Sequence, residues 1–326
     1  MMTLSKFAKL ANVSVSTASK AFSMSPDISE ETRENIFALA KKQGVFKKFY
    51  NAKYPKLLIG VICNVYNSPL HPNILSLIQE ELEKYGYDMC VASSNHSAEK
   101  EKSVYDYYSM YTDVDAILTI GRSTPVPQDF LLPRVDISPN GDNLIDKNTP
   151  TVVLNYESIA DAINKFHKKK VETIGFITCY TRSGKAWKFR KFMAETYGGE
   201  RDDYLKYVEV VEKEGALCGY TAAKKLIREN RVPRAVFCER DDIAFGAIRA
   251  FGEAGLNVPN DVAVVGWNNS EEGEYSTPSL STIYIDTKAI VAESIDMLVK
   301  MLNGKKCQIY TEIMSRYIER ESSIIR

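Results

Sequence analysis

From Leu57 onward, short apolar runs alternate with amphipathic stretches, and no other feature constrains the fold as tightly. LLIGVIC, YDMCVAS, VDAILTIG, TVVLN, TIGFITC, YVEVV, AVFC and VAVVGW read as strands. Between them lie helical patterns: ILSLIQEELEKYG, the stretch from Glu99 to Tyr111, an Ala/Ile helix from Ser158, a helix around Lys188 to Tyr197, GYTAAKKLIREN and DIAFGAIRAFGEAG. A strand followed by a crossover helix returns to a parallel neighbour, so this order predicts parallel sheets covered by helices on both faces. The region is too long for one tidy sheet, and two lobes are expected. Ligands in such folds sit at the carboxyl ends of the strands, here a cleft between the lobes.

The first 45 residues follow a different rule. Leu4, Phe7, Ala8 and Ala11 fall at helical spacing. Asn12-Val13 makes a turn, and Ser14 is placed to cap a second helix through Phe22. Ser29 caps a third helix with Ile36, Phe37, Leu39 and Ala40 inward, and Gly44 stops it. Two helices and a tight turn within about twenty residues are what a helix-turn-helix requires, its second helix entering the major groove. Val13, Ala18 and Ala21 face inward, whereas Val15, Ser16 and Lys20 face out. Ser16 suits a base edge or a phosphate, and Lys20 can reach guanine O6/N7. Thr17 and Ser19 suit phosphates, which fix register. Thr3, Ser5 and Ser14 are assigned to the same DNA-facing set.

Charge supports this division. The chain carries 42 Lys+Arg against 42 Asp+Glu, but residues 1–56 hold ten Lys/Arg and four acids, so the head is +6 and the remainder −6. A basic module on an acidic body fits a head that meets a polyanion. Residues 46–56 (FKKFYNAKYPK) read as a basic, aromatic connector closed by Pro55. No secretory signal is visible, and no stretch approaches the ~20 apolar residues of a membrane span, so a cytoplasmic protein is expected. The six Cys lack CxxC spacing and read as reduced core thiols. The three His do not cluster, and no metal or cofactor is expected. A Walker loop, a GxGxxG after a strand and a nucleophile elbow are all lacking. Asp241 and Asp242 are adjacent at a helix start and point apart. The chain reads as a non-enzyme.

TLSKFAKLANVSVSTASKAFS with ISEETRENIFALAKKQG resembles the head of the LacI/GalR family. IGVICN, AVFCERDDIAFGAIRAFGEAGLNVPNDVAVVGWNN, TPSLSTIYID and IERESS continue the resemblance along the whole chain. TIGRSTP and SGKAWKFRKFMAETYG look most like the evolved-β-galactosidase operon repressor subgroup. The resemblance implies an all-α helix-turn-helix head (1–45), a hinge (46–56) and an α/β two-lobed periplasmic-binding-protein-like sensor with parallel sheets (57–326). Its first lobe would take about 57–157 and 288–311, its second about 158–287 and 312–326. It further implies a homodimer on a pseudo-palindromic double-stranded DNA operator, with half-sites about one helical turn apart. A small sugar effector, such as a galactoside, would release it. Corepression, a phosphoprotein partner, or a sugar-binding module without DNA activity are the alternatives.

A sugar cleft needs bidentate partners for vicinal hydroxyls and an aromatic or apolar platform. Asp241, Asn268 and Arg190 match family positions for such contacts, with Asp241 also placed to cap a helix. Trp267 is the stacking candidate, or a strand-end core residue. On the other lobe Tyr66, Ser68, His71 and Asp136 lie near the family's positions. The family departs here in three ways. Lys20 stands where Arg is usual, which loses the bidentate fork. Asn268 stands where many relatives carry Asp. The hinge is shorter, with Tyr54 nearest to the residue that wedges the minor groove, or packed on the sensor's surface instead.

Overall fold

The computed structural model describes residues 2–50, 57–64, 70–110, 114–122, 124–126, 130–138, 149–180 and 183–325. They divide into two compact units, Met1–Leu58 and Ile59–Arg326.

The head contains α1 (Leu4–Leu10), α2 (Val15–Phe22), α3 (Glu30–Lys42) and α4 (Phe46–Phe49). The caps at Ser14 and Ser29 lie where the hydroxyls predicted them, and Thr3, assigned to DNA contact, also caps a helix. Thr3, Ser14 and Ser29 accept from the backbone N–H of Lys6, Thr17 and Thr32. Gly44 takes a φ of +64° behind α3, and Val45 N–H returns to Ala40 C=O at 2.9 Å. A head this small has little interior, and rings supply most of it. Phe7, Phe22, Phe37, Phe46, Phe49 and Tyr50 form one aromatic network, with Phe7–Phe22 at 5.5 Å and Phe37–Phe46 at 4.9 Å. This corrects the expected boundary at residue 45. Phe46 to Tyr50, assigned to the hinge, fold back as α4 because their rings complete the head's core. The remaining hinge residues, 51–56, lie outside the described residues. Arg33 was not singled out, yet it is only 7% exposed and donates from Nη2 to Ser25 C=O (2.8 Å) and Ile28 C=O (3.3 Å). It ties α3 to the loop after α2.

The first lobe of the body has β1 (Leu58–Cys63), α5 (Leu70–Glu83), β2 (Asp88–Ser93), α6 (Ala98–Met110), β3 (Val114–Ile120), β4 (Arg134–Ser138) and β5 (Thr151–Asn155). The second follows with α7 (Ser158–Lys168), β6 (Ile174–Thr178), α8 (Gly184–Tyr197), β7 (Val208–Val210), α9 (Gly215–Arg228), β8 (Ala235–Cys238), α10 (Asp241–Glu253), β9 (Ala263–Trp267), α11 (Glu271–Tyr275) and β10 (Ser281–Tyr284). The chain then returns to the first lobe for α12 (Thr287–Leu302) and β11 (Tyr310–Met314), and ends in the second with β12 (Arg316–Ile318). Each lobe holds a six-stranded sheet, in the orders β11-β5-β4-β3-β1-β2 and β12-β10-β9-β8-β6-β7. The strand registers described are parallel except for β10 with β12. The expected lobe change at 311/312 falls later. β11 stays in the first sheet to Met314, paired residue for residue with β5, and the crossing is at Ser315.

Local patterns explain most elements. In α7, Ile159, Ala162, Ile163 and Phe166 recur on one face and are buried. The contact between α9 and α10 has a cause that periodicity does not show. A Cβ on Gly219 would lie 1.8 Å from Ile243 O, and one on Gly246 would lie 1.8 Å from Ala216 O. The two backbones touch there, which seats α10 and its amino end against β8 and β9.

Candidate functional site

Two places in the chain are built for contact with something else. The first is the outward face of α2. Ala18, Ala21 and Phe22 are buried, so Val15, Ser16, Ser19 and Lys20 are left exposed. Val15 keeps 46% of its surface open to solvent. Two of the assigned hydroxyls are already engaged: Ser14 Oγ caps the helix and meets Thr17 Oγ1 at 2.8 Å. Lys20, expected to reach for guanine, instead donates to Asp27 at 2.9 Å. Its ammonium holds the Asp27 carboxyl below the usual carboxylate range. Both partners are exposed, so this contact is weak and can be exchanged for another anion. Thr3 is spent on its own cap, whereas Ser5 is exposed.

The second place is a cavity of about 530 Å³ at the carboxyl ends of β8 and β9, lined by Arg240, Asp241, Asp242, Phe245, Trp267 to Glu272 and, from the first lobe, Asn73. Its floor is the turn after β9. Asn268 and Asn269 both take left-handed backbone, at φ +99° and +57°. A non-glycine residue at positive φ is strained and persists only where its surroundings hold it. Here Ile283 C=O accepts from Asn268 N–H (2.9 Å), Thr282 Oγ1 from Asn269 N–H (3.2 Å), and Asn269 Oδ1 from Arg320 Nη2 (2.8 Å).

Asp241 locks the same turn from below. Its Oδ2 accepts from Ser270 N–H at 2.6 Å, and its Oδ1 accepts from Thr282 Oγ1 at 2.7 Å. A Cβ on Gly266 would stand 2.2 Å from that Oδ1, so only glycine lets the carboxylate in so close. Burial raises the Asp241 carboxyl to about 6, and hydrogen bonds from the turn and the charge of Lys185 oppose the rise. Beside it, Arg240 grips Asp242 with two bonds, Nε at 2.9 Å and Nη2 at 3.0 Å.

Three polar atoms of this turn are buried and have no hydrogen-bond partner among the described residues: Trp267 Nε1, Asn268 Oδ1 and Ser270 Oγ. They present a donor, an acceptor and a hydroxyl on nearly successive residues. Leaving such groups unpaired costs about 1–3 kcal/mol each.

Comparison with known proteins places both regions. The family model for "Bacterial regulatory proteins, lacI family" matches residues 3–44, and that for "Periplasmic binding protein-like domain" matches residues 163–323. The chain joins a LacI-family helix-turn-helix domain to a periplasmic-binding-protein-like domain. It is similar to the HTH-type transcriptional repressor PurR of Salmonella paratyphi B, 26% identical over 339 residues, with 99% of this chain and 97% of the relative covered. In fold it is similar to the lac repressor dimer bound to operator and the anti-inducer ONPF (TM-score 0.69, 19% identity, 99% of each chain). It is also similar to the transcriptional regulator CelR in complex with cellobiose (TM-score 0.68, 20% identity, covering 99% of this chain and 100% of the other). The expected helical head and two-lobed body with parallel sheets are the fold of this chain.

Within that frame the expected ligand contacts separate. Asn268 and Trp267 do line the cavity, but the Trp267 ring is fully buried. It meets Tyr156 edge-on at 5.2 Å and lies 4.8 Å from Lys185 Nζ, so it is a core ring and not an open stacking platform. Asp241 lines the cavity with both oxygens taken by the turn. It braces the turn after β9 and β10 through Ser270 N–H and Thr282 Oγ1, and it does not cap α10, whose amino end has no side-chain cap.

Arg190 is not among the lining residues. Its side chain, only 16% exposed, is paired with Asp202 at 3.1 Å. The cation held inward is Lys185. It is 8% exposed and donates to Glu239 C=O at 2.9 Å, while Glu239 Oε2 accepts from Ser183 Oγ at 2.5 Å. Burial lowers the Lys185 ammonium below its usual range. Its spacing of four from Phe189 was a signal in the sequence for the inward face.

Asp136 is 2% exposed inside the first lobe, bonded to Thr119 Oγ1 (2.5 Å) and paired with Arg122 (2.9 Å) and Arg134 (3.3 Å). That is a buried ion cluster and not a ligand contact. Tyr54, Tyr66 and Ser68 lie outside the described residues. His71 stands in the first turn of α5, with its side chain outside the described set.

Proposed function

We propose that this chain represses transcription by binding a pseudo-palindromic operator as a homodimer, and that a neutral, hydroxyl-rich small molecule in the second-lobe cavity sets its affinity. A sugar is the class that fits, with galactosides first to try. One observation carries the effector reading: three buried polar atoms without partners among the described residues lie together on a strained turn that lines the cavity. A ligand with both donors and acceptors would satisfy them. The described lining also has Asp241, Asp242, Glu271 and Glu272 against Arg240 alone, and Arg240 is committed to Asp242. Such a wall attracts hydroxyl donors and repels a phosphorylated ligand. The exposed face of α2 supports the DNA-binding half, with Val15, Ser16 and Ser19 free to meet bases and phosphates and Lys20 released from Asp27 on contact. Tyr54 is the wedge this reading assigns to the minor groove. The protein would act at the nucleoid in the cytoplasm; no described helix is long and apolar enough to cross a membrane.

The test is fluorescence anisotropy on a duplex selected from a random pool, at fixed salt, with galactosides, glucosides, their 6-phosphates and free nucleobases added in turn. Release of a palindrome by one neutral sugar, and not by its phosphate, is the expected result. Tightening by a ligand would turn the same cavity into a corepressor site. No selected duplex above nonspecific DNA would overturn the DNA-binding half. Binding of phosphorylated sugars in preference to neutral ones would overturn the effector class.

A further inference from the structure

The turn that lines the cavity is clamped by the chain segments that run between the lobes. β10 supplies two of the clamps. Ile283 C=O accepts from Asn268 N–H at 2.9 Å, and Thr282 Oγ1 accepts from Asn269 N–H at 3.2 Å. Both residues face β12 across an antiparallel register, Thr282 opposite Ile318 and Ile283 opposite Tyr317. A further clamp comes from the segment after β12. Arg320 donates from Nη2 to Asn269 Oδ1 and from Nη1 to Leu280 C=O, each at 2.8 Å. Its backbone is pinned as well: its N–H donates to Ser281 Oγ at 2.7 Å, and its C=O accepts from the same hydroxyl at 2.8 Å.

These clamps reach the lobe crossings within a few residues. β10 ends at Tyr284, and α12 of the first lobe starts at Thr287. At another crossing, Ser315 stands five residues before Arg320. Its N–H donates to Asn155 C=O at 3.0 Å, and its Oγ meets Ser158 Oγ at 2.6 Å. Asn155 closes β5 of the first lobe, and Ser158 opens α7 of the second.

We propose, on the effector reading above, that Arg320 is a positioning residue for the effector turn and that β12 ties this turn to the crossing at Ser315. Left-handed backbone at Asn269 persists only while its surroundings hold it. The planar guanidinium reaches Asn269 and Leu280 at once, a fork that a lysine ammonium does not reproduce. Arg320 thereby fixes Asn269, and with it the neighbours Asn268 and Ser270, whose buried polar atoms lack partners among the described residues. A ligand that engages those atoms pulls on the same turn. The short strand β12 carries that displacement to the point where the chain changes lobe.

Hydrogen–deuterium exchange of the full-length protein, read by mass spectrometry on peptides covering residues 267–271, tests this without a ligand. Arg320→Met should speed exchange there by roughly tenfold, the loss expected for one charge-assisted hydrogen bond. Arg320→Lys keeps the charge, loses the fork and should recover only part of the protection; it decides the question if the methionine variant fails to fold. Ser322→Ala is the structural control. It loses the bonds to Val264 C=O (2.7 Å) and Ser281 N–H (2.8 Å), and should lower the unfolding midpoint while leaving exchange at the turn near that of the wild type. Exchange in the Arg320 variants no faster than in Ser322→Ala would overturn the positioning role. Ser158→Ala tests the tie by cutting the bond to Ser315. It should speed exchange at the turn a few-fold when Arg320 is present and add nothing in the Arg320→Met background. Equal effects in both backgrounds would overturn the tie. Methyl β-D-galactoside is then titrated by calorimetry, with about tenfold weaker binding expected in Arg320→Met. Equal affinity would overturn the role at the site. No binding by the wild-type protein would count against the galactoside reading, and the exchange result would still decide the role of Arg320.

Discussion

Each lobe of the body buries one aspartate beside its sheet, and the two are held in opposite ways. Asp136 in the first lobe is paired with Arg122 and Arg134. Among the described residues, Asp241 in the second meets neutral groups at hydrogen-bond distance, a backbone N–H and a hydroxyl, with Lys185 acting from further off. A buried charge needs compensation, and full cations give more of it than dipoles do. The difference separates two uses of the same residue type. Asp136 closes a structural cluster, whereas Asp241 holds a strained turn whose own polar atoms lack partners among the described residues.

The contrast can be broken most directly at the first lobe. Asp136→Ala leaves two guanidiniums buried without their shared carboxylate and should cost about 3–5 kcal/mol in urea unfolding. A loss under about 1 kcal/mol would mean that the arginines find other partners and that Asp136 is not what holds the cluster.

The second test uses pH. Asp241 has a folded-state pKa raised from 3.8 to about 6, so between those values the folded state binds the extra proton. The contribution to stability is therefore complete below the unfolded value and is lost as pH rises through about 6. Asp241→Asn mimics the protonated form at every pH. Relative to that variant, the wild-type protein should lose about 2–3 kcal/mol of stability between pH 4 and pH 7. A flat difference would show that the turn's hydrogen bonds compensate the charge as fully as the arginines do for Asp136.

Effects on binding are smaller. Asn268→Ala removes one unpaired acceptor at the cavity and should weaken the effector, once identified, by roughly three- to tenfold. Calorimetric titration reads this, and unchanged affinity would remove Asn268 from the ligand's contacts. The smallest effect belongs to the exposed pair in the head. Asp27→Asn should leave the thermal midpoint where it is and tighten operator binding a few-fold by freeing Lys20. A fall in the midpoint would show that this pair, unlike other exposed ion pairs, holds the turn between α2 and α3.

Much of the architecture was legible in the sequence, element by element. The apolar runs of β1, β3, β6, β8 and β9 are continuous because both faces of those strands are covered. β4 and β11 were harder to read. β4 opens on Arg134 and carries Asp136 in its middle, and a strand whose polar residues satisfy one another does not look like a buried run. β11 (YTEIM) alternates exposed and half-buried residues at the edge of its sheet, so no apolar stretch marks it. The site was legible by region but not by role. The stretch from Asp241 and the turn after VAVVGW do bound the cavity. Which atoms remain open there depends on contacts between residues far apart in the chain, such as Asp241 with Ser270 and Arg320 with Asn269.

By itself the sequence determined the head's three helices with the caps at Ser14 and Ser29, the alternation of strands and helices and the LacI-type helix-turn-helix domain. Those rest on hydroxyls, glycines and apolar spacing within a few residues of one another. Tertiary packing decided that Phe46 to Tyr50 belong to the head, that Lys185 is bonded to Glu239 while Arg190 pairs with Asp202, and that Asp241 is occupied while Trp267, Asn268 and Ser270 keep polar atoms unpaired among the described residues. The physical reason is one of range. Caps and periodicity act along a helix, whereas the satisfaction of a buried polar atom is settled by whichever group the folded chain brings within about 3 Å of it.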